Sequence, residues 1–418
     1  MKSITIERGP YGRKLKQPFT FEIPDDESES ERRLRQYIFD AFVAEYPKLV
    51  RFTLENSSMK ALAEHLLRHR TGSLNTLRGY VYHISRFSKW LEREPDQFLN
   101  ECKGKDQVPI PKAVIQMRHL LGEFLDNLQE ENGLAPHTVY HTEGDIRVFF
   151  KLNGIHLGMP YRRSKWSIYE IRAPTPEEVQ KTIDAADLRG KAIIALLALG
   201  GFRSGTLVQL KYRHVKQDIE NGTIPIHIHV EAKITKGKRY DYDTFLNWEA
   251  AEYLKTYLDA RRKGILRRPP ERLEHESPLI SEYLQTKPLA RGTIRTIVCS
   301  CYVKAGVLPR KPKHKQHELN VRSLRRFFMT QMMSTGTERD YVEYMMGHSL
   351  TGYHDVKMKG VEFLRGIYLK SGISIQPRTK TRKIMDLIDI IHSWELNPQE
   401  ILTQEALNYS RTARTITP

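Results

Sequence analysis

Apolar residues recur at steps of three and four along much of the chain, and this spacing most constrains what the chain can fold into. In residues 73–93 the apolar members are Leu74, Leu77, Tyr80, Val81, Ile84, Phe87, Trp90 and Leu91. The basic members, which fall off this stripe, are Arg78, Arg86, Lys89 and Arg93. The pattern predicts an amphipathic helix that begins at Ser73 and has one apolar face and one basic face.

Two more segments of the same kind follow. One stops at Glu131-Asn132-Gly133, and the next begins near Pro136 and stops at Asn153-Gly154. Together these patterns predict a compact helical domain over residues 31–157 with cationic faces. Residues 1–30 are polar and end in an acidic run, so we expect a flexible N-terminal arm there.

The second half of the chain contains the one convincing strand pattern. Isoleucine and valine alternate with other residues over 224–230, and the chain returns after a turn at 236–238. Helical patterns resume from 248 to about 375. The predicted fold is therefore mainly α with a small antiparallel β-sheet. It comprises the helical domain and a mixed α+β domain at 175–375, joined by a basic linker at 158–174 and followed by a tail at 376–418 with a helix over Ile384–Trp394.

Charge points to a polyanionic partner. The chain has 418 residues, with 67 lysines and arginines against 50 aspartates and glutamates, and a net charge of +17. A surplus of this size on a foldable sequence favours nucleic acid. The longest apolar stretch, 192–202, is shorter than the roughly 20 residues that span a bilayer, and the first residues lack the apolar core of a signal peptide. Three cysteines give no disulfide framework, so we expect a soluble protein in a reducing, cytoplasmic compartment.

Four short segments place basic or histidine side chains beside turns. They are 200–210, 233–239, 321–328 and 345–349. Each has an ordinary structural explanation when taken alone: a structural salt bridge, a hairpin turn or the end of a helix. The order and the spacing of the four segments carry the information.

Taken together, the segments resemble the tyrosine recombinases, the phage-type integrases. Arg203 matches the first arginine of that family, and Lys236 matches the hairpin lysine, with Lys233 as its rival. Arg325 matches the second arginine. The family usually places a glycine eleven residues later and a Gly-His histidine twenty-three later, where Gly336 and His348 stand. The resemblance covers roughly residues 40–375 and is closer to archaeal than to bacterial integrases.

The sequence departs from the family pattern at three places. Arg322 replaces the histidine of the His-x-x-Arg box, and His317 lies five residues upstream of it. Thr206 stands where an acidic residue is common. The nucleophilic tyrosine usually follows the Gly-His histidine by about nine residues, and that position is Lys357.

Two tyrosines near the Gly-His segment remain as nucleophile candidates, Tyr353 and Tyr368. Tyr353 lies in a turn sequence, whereas Tyr368 lies on a predicted helix that is stopped by Gly372. Because a helix holds a side chain more firmly than a loop, we expect Tyr368 to be the nucleophile. The alternative for Tyr368 is a core position on an amphipathic helix.

The resemblance implies cleavage and rejoining of DNA through a 3′-phosphotyrosyl link. Arg203 and Arg325 would bind the non-bridging oxygens, and Lys236 would protonate the leaving 5′-oxygen. His348 would hydrogen-bond the phosphate or move the tyrosine proton, and Arg322 would add a third cationic donor. The chemistry needs no metal and no nucleotide cofactor. The pair His227 and His229 supplies two metal ligands at most, so we expect no metal there.

The implied partner is double-stranded DNA with specific attachment sites, bound by a tetramer during synapsis and associated with the nucleoid. Two other functions remain open. One is a degenerate relative that binds DNA without cleaving it, and the other is a DNA-relaxing enzyme of type IB chemistry. The sequence leaves open the target site, cleavage in cis or in trans, and the part that the tail or accessory proteins play.

Overall fold

The structure is a computed structural model. It describes residues 2–8, 14–23, 26–43, 46–69, 72–158, 170–238, 240–264, 269–282, 287–309, 318–348, 355–375, 391 and 397. The chain divides into two compact units, 1–168 and 169–418, and the boundary falls inside the predicted basic linker. Most of that linker and of the predicted tail helix lies outside the described residues. Within the described part of the chain, no helix is long and apolar enough to cross a membrane.

The first unit opens with a two-stranded antiparallel sheet. Strand β1 is Lys2–Arg8 and strand β2 is Lys14–Ile23. The expectation of a flexible arm is therefore wrong for these residues. Isoleucines alternate with polar residues in one strand and phenylalanines in the other, and the register pairs Ile4 with Phe21. The Phe21 ring lies 5.5 Å from that of Phe39, so the sheet packs on the first helix.

Seven helices complete the described part of the first unit. They are α1 Glu29–Phe42, α2 Pro47–Glu55, α3 Ser57–His69, α4 Leu74–Leu91, α5 Pro95–Glu101, α6 Pro111–Glu130 and α7 Pro136–Leu152. The predicted apolar stripe of α4 faces the core, where Phe87 packs against Phe98, Phe124 and Phe150. The helices that the spacing predicted for residues 31–157 are present. Apolar burial of this kind is the main stabilising contribution to the unit.

The second unit contains nine α-helices and a second two-stranded sheet in its described part. The helices are α8 Pro176–Asp184, α9 Leu188–Leu199, α10 Ser204–Leu207, α11 Lys216–Asn221, α12 Trp248–Lys263, α13 Arg291–Lys304, α14 Val321–Ser334, α15 Arg339–Met345 and α16 Val361–Lys370. The strands are β3 Ile226–Val230 and β4 Tyr242–Leu246, which pair in antiparallel register. Three short 3₁₀ turns are Tyr212–His214, Ala232–Ile234 and Val356–Lys359.

Helix α9 is the centre of the second unit. It is buried on every side from Gly190 to Leu199 apart from Lys191, and it packs against α8, α12, α13 and α14. A helix that is apolar all round can be accommodated only in the middle of a domain. Because α9 is held from several directions, the loop that follows it starts from a fixed point. The mainly α fold with small antiparallel sheets is confirmed.

Candidate active site

Arg203 sits on a tight turn at the end of α9. The turn uses Gly201 at φ +64°, and a Cβ added there would lie 2.8 Å from the ring of Phe328. Only glycine fits such a position without strain. The turn makes Arg203 the N-cap of α10, and its guanidinium donates to the carbonyl oxygens of Gly347 at 2.9 Å and Met346 at 3.4 Å.

Arg325 lies one turn into α14 and reaches the same backbone. One guanidinium nitrogen donates to the Gly201 carbonyl at 2.5 Å, and the other donates to the Met346 carbonyl and to Nε2 of His348, the latter at 2.9 Å. Two segments far apart in the sequence therefore bring their arginines to one shared acceptor, the Met346 carbonyl. The structure brings together Arg203, Arg325 and His348 as the sequence analysis expected.

His348 follows the turn that ends α15. Gly347 has φ +64° and lies against the ring of Tyr242, so that a Cβ there would come within 2.4 Å of a ring carbon. The backbone N–H of His348 donates to the Glu343 carbonyl at 3.0 Å, and Nδ1 lies 3.5 Å from the Glu343 carboxylate. Since Arg325 can only donate, Nε2 of His348 is the acceptor, and the proton of the neutral ring is on Nδ1.

The cluster carries positive charge away from water. Burial and the neighbouring Arg203 lower the pKa of Arg325 to about 9, and burial also lowers the pKa of Arg203. Burial, Arg325 and Arg203 lower the pKa of His348, which is therefore neutral at pH 7. In the described part of the chain, the partners of both guanidinium groups are neutral carbonyls and an imidazole. A bound anion would offset the mutual repulsion of the two arginines.

The other two predicted cations lie in exposed positions. Lys236 is in the connection between β3 and β4, beyond the 3₁₀ turn Ala232–Ile234, and is exposed. Its rival Lys233 is also exposed, with its ammonium 3.6 Å from the Glu231 carboxylate. Arg322 is exposed in the first turn of α14, three residues before Arg325 and so on the neighbouring part of the same helix face.

Tyr368, the residue expected to be the nucleophile, occupies the core. Its side chain is 1% exposed, and its hydroxyl donates to the Leu199 carbonyl at 2.8 Å and accepts from the backbone N–H of Asn247 at 3.1 Å. Its ring packs beside Phe245 and Phe328. Complete burial raises the pKa of this phenol far above its ordinary value. The helix was predicted correctly, and on it Tyr368 faces the core of the second unit.

The position where the family nucleophile usually stands is held by an ion pair. Lys357 lies in the 3₁₀ turn Val356–Lys359, and its ammonium is 3.0 Å from the Asp241 carboxylate just before β4. Tyr353, the second candidate nucleophile, and His317, the possible substitute for the missing histidine, lie outside the described residues.

A group of polar residues on β3, β4 and α15 was not predicted from the sequence. Asp243 accepts hydrogen bonds from His227, His229 and the Tyr344 hydroxyl, at 2.8, 2.9 and 2.7 Å. The strand alternation placed the two histidines on one face but gave no sign of the carboxylate opposite them. Among the described residues, no group of three or more histidine, cysteine or acidic side chains could hold a metal ion.

The region around this cluster is similar to known proteins. Residues 174–352 match the model of the phage integrase family. The chain is 28% identical over 161 residues to tyrosine recombinase XerC of Lactobacillus delbrueckii subsp. bulgaricus, and to XerC of Lactobacillus leichmannii. The match covers 38% of this chain and 47% of the relative, so the chain spans about half the length of these curated relatives.

Two solved structures are also similar. A lambda integrase dimer bound to a COC′ core site is 14% identical, with 86% of this chain and 92% of that chain covered and a TM-score of 0.47. The Tn1549 transposon integrase with transposon right end DNA is 15% identical, with 80% and 99% covered and a TM-score of 0.46. The arginine pair and the Gly-His turn lie within the stretch that matches the family model. Over residues 174–352, the chain is therefore similar to the phage integrase family.

Proposed function

We propose that this protein is a site-specific DNA recombinase that cuts and rejoins DNA through a 3′-phosphotyrosyl intermediate. The observation that carries the proposal is the pair of half-buried guanidinium groups, Arg203 and Arg325, beside the neutral imidazole of His348. Two planar donors with neutral partners suit a phosphate in a way that lysine does not. The match of residues 174–352 to the phage integrase family supports the same chemistry.

Each group in the cluster has a task in this reaction. A tyrosine oxygen attacks phosphorus while the P–O bond to the 5′-oxygen breaks, and charge accumulates on the non-bridging oxygens. Arg203 and Arg325 stabilise that charge, with Arg322 as a third donor on the same helix. Lys236 protonates the departing 5′-oxygen from the hairpin. His348 is neutral and can accept or return the tyrosine proton when its bond to Arg325 gives way to the phosphate.

We assign the nucleophile to Tyr353 in place of Tyr368. Both hydrogen bonds of the Tyr368 hydroxyl go to the backbone, and freeing it would break the core around it. Tyr353 follows His348 by five residues. The described residues nearest to it on either side include His348, which contacts Arg325, and Lys357, which pairs with Asp241.

Double-stranded DNA with specific attachment sites is the proposed partner, and the net charge of +17 supports it. We propose a tetramer on the synapsed DNA, since two duplexes with two cleavage positions each need four active sites. The protein would then associate with the nucleoid.

Covalent trapping tests the proposal. Duplexes that the wild-type protein binds are first selected from a randomised pool. The selected duplex is then nicked next to successive phosphates, so that cleavage releases a short fragment that cannot religate. Wild type, Arg203→Ala, Tyr353→Phe and Tyr368→Phe are compared on a denaturing gel. We expect an adduct with wild type and Tyr368→Phe only.

The alternatives give different results. If the wild-type protein binds the selected duplex but forms no adduct at any nick position, it is a DNA-binding relative and not an enzyme. Loss of the adduct in Tyr368→Phe with retention in Tyr353→Phe would return the nucleophile to α16. Relaxation of a supercoiled plasmid that lacks the selected site would indicate the type IB activity.

A further inference from the structure

One buried carboxylate connects the hairpin to the Gly-His turn. Asp243 lies in β4 and is 6% exposed. One of its oxygens accepts from Nε2 of His227 and from Nδ1 of His229, and the other accepts from the hydroxyl of Tyr344. The two histidines are on β3 and the tyrosine is on α15. A single side chain therefore ties three elements together at the edge of the catalytic cluster.

Tyr344 links the Asp243 carboxylate to the backbone of the Gly-His turn. Its carbonyl oxygen accepts from the Gly347 N–H at 2.7 Å, which closes the turn after α15. Two and three residues further along the chain are the carbonyls of Met346 and Gly347, which accept from the guanidinium groups of Arg325 and Arg203. Fixing the Tyr344 hydroxyl thus fixes the end of α15 from which the acceptors project.

The residue before Asp243 reinforces the connection from the other side. The ring of Tyr242 packs against Gly347 so closely that a Cβ on that glycine would clash with it. Because successive residues of a strand point to opposite faces, Tyr242 and Asp243 hold α15 through different contacts. Strand β4 is therefore the support on which the Gly-His turn rests.

The carboxylate is ionised, and its charge is needed for all three contacts. Burial alone would raise the pKa of Asp243, but the hydrogen bonds from His227, Tyr344 and His229 outweigh burial and hold the pKa far below its usual range. An asparagine of the same shape offers one acceptor and two donors. It could not accept from both histidines and from the tyrosine.

We propose that Asp243 is a positioning residue for catalysis, which acts through Tyr344 to place the Gly-His turn and its carbonyl acceptors under Arg203 and Arg325. This inference rests on the proposed recombinase function. Asp243 does not touch the DNA in this account. Its substitution should therefore lower the rate of the chemical step without weakening the binding of the duplex.

The test measures adduct formation in a single turnover at saturating concentrations of the selected duplex, together with the dissociation constant and the melting temperature. The variants are Asp243→Asn, Tyr344→Phe and the double variant. The matched control is Asp218→Asn, because Asp218 accepts from the N–H of His227 at 2.7 Å and so holds the same strand β3 from the side of α11.

We expect Asp243→Asn to slow adduct formation about 10- to 100-fold, since displacing reacting groups by about 1 Å can cost that much. Tyr344→Phe should act in the same direction, and the double variant should be no slower than Asp243→Asn because both remove one connection. Asp218→Asn should keep the wild-type rate. An unchanged rate in Asp243→Asn, with an adduct still formed by wild type, would overturn the inference.

A second substrate distinguishes an effect on the Gly-His turn from an effect on the hairpin lysine. In it, sulfur replaces the 5′-bridging oxygen, so the P–S bond breaks and the thiolate leaves without a proton from Lys236. We expect this substrate to restore Lys236→Ala but not Asp243→Asn. If it restores Asp243→Asn, the carboxylate acts through the hairpin and the inference fails. If wild type forms no adduct with either substrate, it is the proposed function that fails.

Discussion

At the scale of single residues, the proposed function depends on two guanidinium groups. Arg203 and Arg325 together reach the carbonyls of Gly201, Met346 and Gly347 and the ring of His348. These hydrogen bonds use some of the guanidinium N–H groups and fix the direction of the others. A lysine carries the charge but has no planar fork with which to hold several acceptors at once.

We therefore expect Arg203→Lys and Arg325→Lys to slow adduct formation by about 10²- to 10³-fold, the typical cost of one lost donor to a developing oxyanion. DNA affinity should change little, because the phosphate charge is still matched. Arg326→Lys is the control, as Arg326 follows on the same helix and is exposed. Rates close to wild type in Arg325→Lys would contradict the assignment.

Under the proposed function, we expect His348 to make the reaction sensitive to acid. Its pKa is lowered from 6.5 by burial, Arg325 and Arg203, and raised in part by Glu343. If the neutral ring is required, the rate falls only when the pH drops below this depressed pKa. Glu343→Gln removes the carboxylate that raises the pKa of His348. The pH at which the rate falls in acid should therefore be lower still in this variant.

The measurement is the pH profile of adduct formation for wild type, Glu343→Gln and Arg339→Gln. The last variant removes the arginine partner of Glu343 and leaves the carboxylate beside His348. The stability of the fold should also decrease in acid. His348 takes up a proton at a higher pH in the unfolded chain than in the folded chain, so acid favours the unfolded state. A limb that moves to higher pH in Glu343→Gln would refute this account.

At the scale of elements, the turn after α15 depends on a glycine. Gly347→Ala combines a positive φ with a clash against Tyr242, and we expect a loss of about 1–3 kcal/mol of stability with loss of the adduct. Gly336→Ala is the matched control, because Gly336 also has positive φ but nothing within 4 Å of the added Cβ. It should cost about 1–2 kcal/mol and leave cleavage intact. Equal effects of the two changes on cleavage would be inconsistent with the packing.

Helix α16 anchors the start of the arginine turn. The Tyr368 hydroxyl bridges the Leu199 carbonyl at the end of α9 and the Asn247 N–H at the start of α12. Tyr368→Phe should lower stability by about 1–3 kcal/mol, because two buried backbone groups lose their partner. Chemical denaturation checks the stability and covalent trapping checks that the adduct persists. An unaltered stability with a lost adduct would point to Tyr368 as the nucleophile.

Periodicity and spacing predicted much of this, and the misses have physical reasons. Helix spacing located α4, α6 and α7, and the fixed offset from Arg325 located His348. The amphipathic pattern placed Tyr368 on a helix. The same pattern fits a side chain at the edge of the core and one that is fully buried within it. The bond from Tyr344 to Asp243 joins residues 101 apart in the chain, and nothing local marks such a pair.

At the scale of the whole molecule, the chain consists of two units with separate apolar cores. Phe87 is central in one core and Leu196 in the other. Because the cores share no buried residues, we expect Phe87→Ala and Leu196→Ala each to cost about 2–5 kcal/mol in their own unit only. Amide hydrogen exchange, followed unit by unit, measures this. Loss of protection in both units from either change would show that they unfold together.

The catalytic cluster is also distributed along the chain, which affects how the protein is made. Arg203, Arg325 and His348 come from three separate segments, and the carbonyls that orient the arginines belong to the last of them. During synthesis, the first arginine leaves the ribosome long before its acceptors exist. Under the proposed function, a nascent or prematurely terminated chain would have no means of cutting a chromosome, and the ability to break DNA would appear only once the second unit has closed.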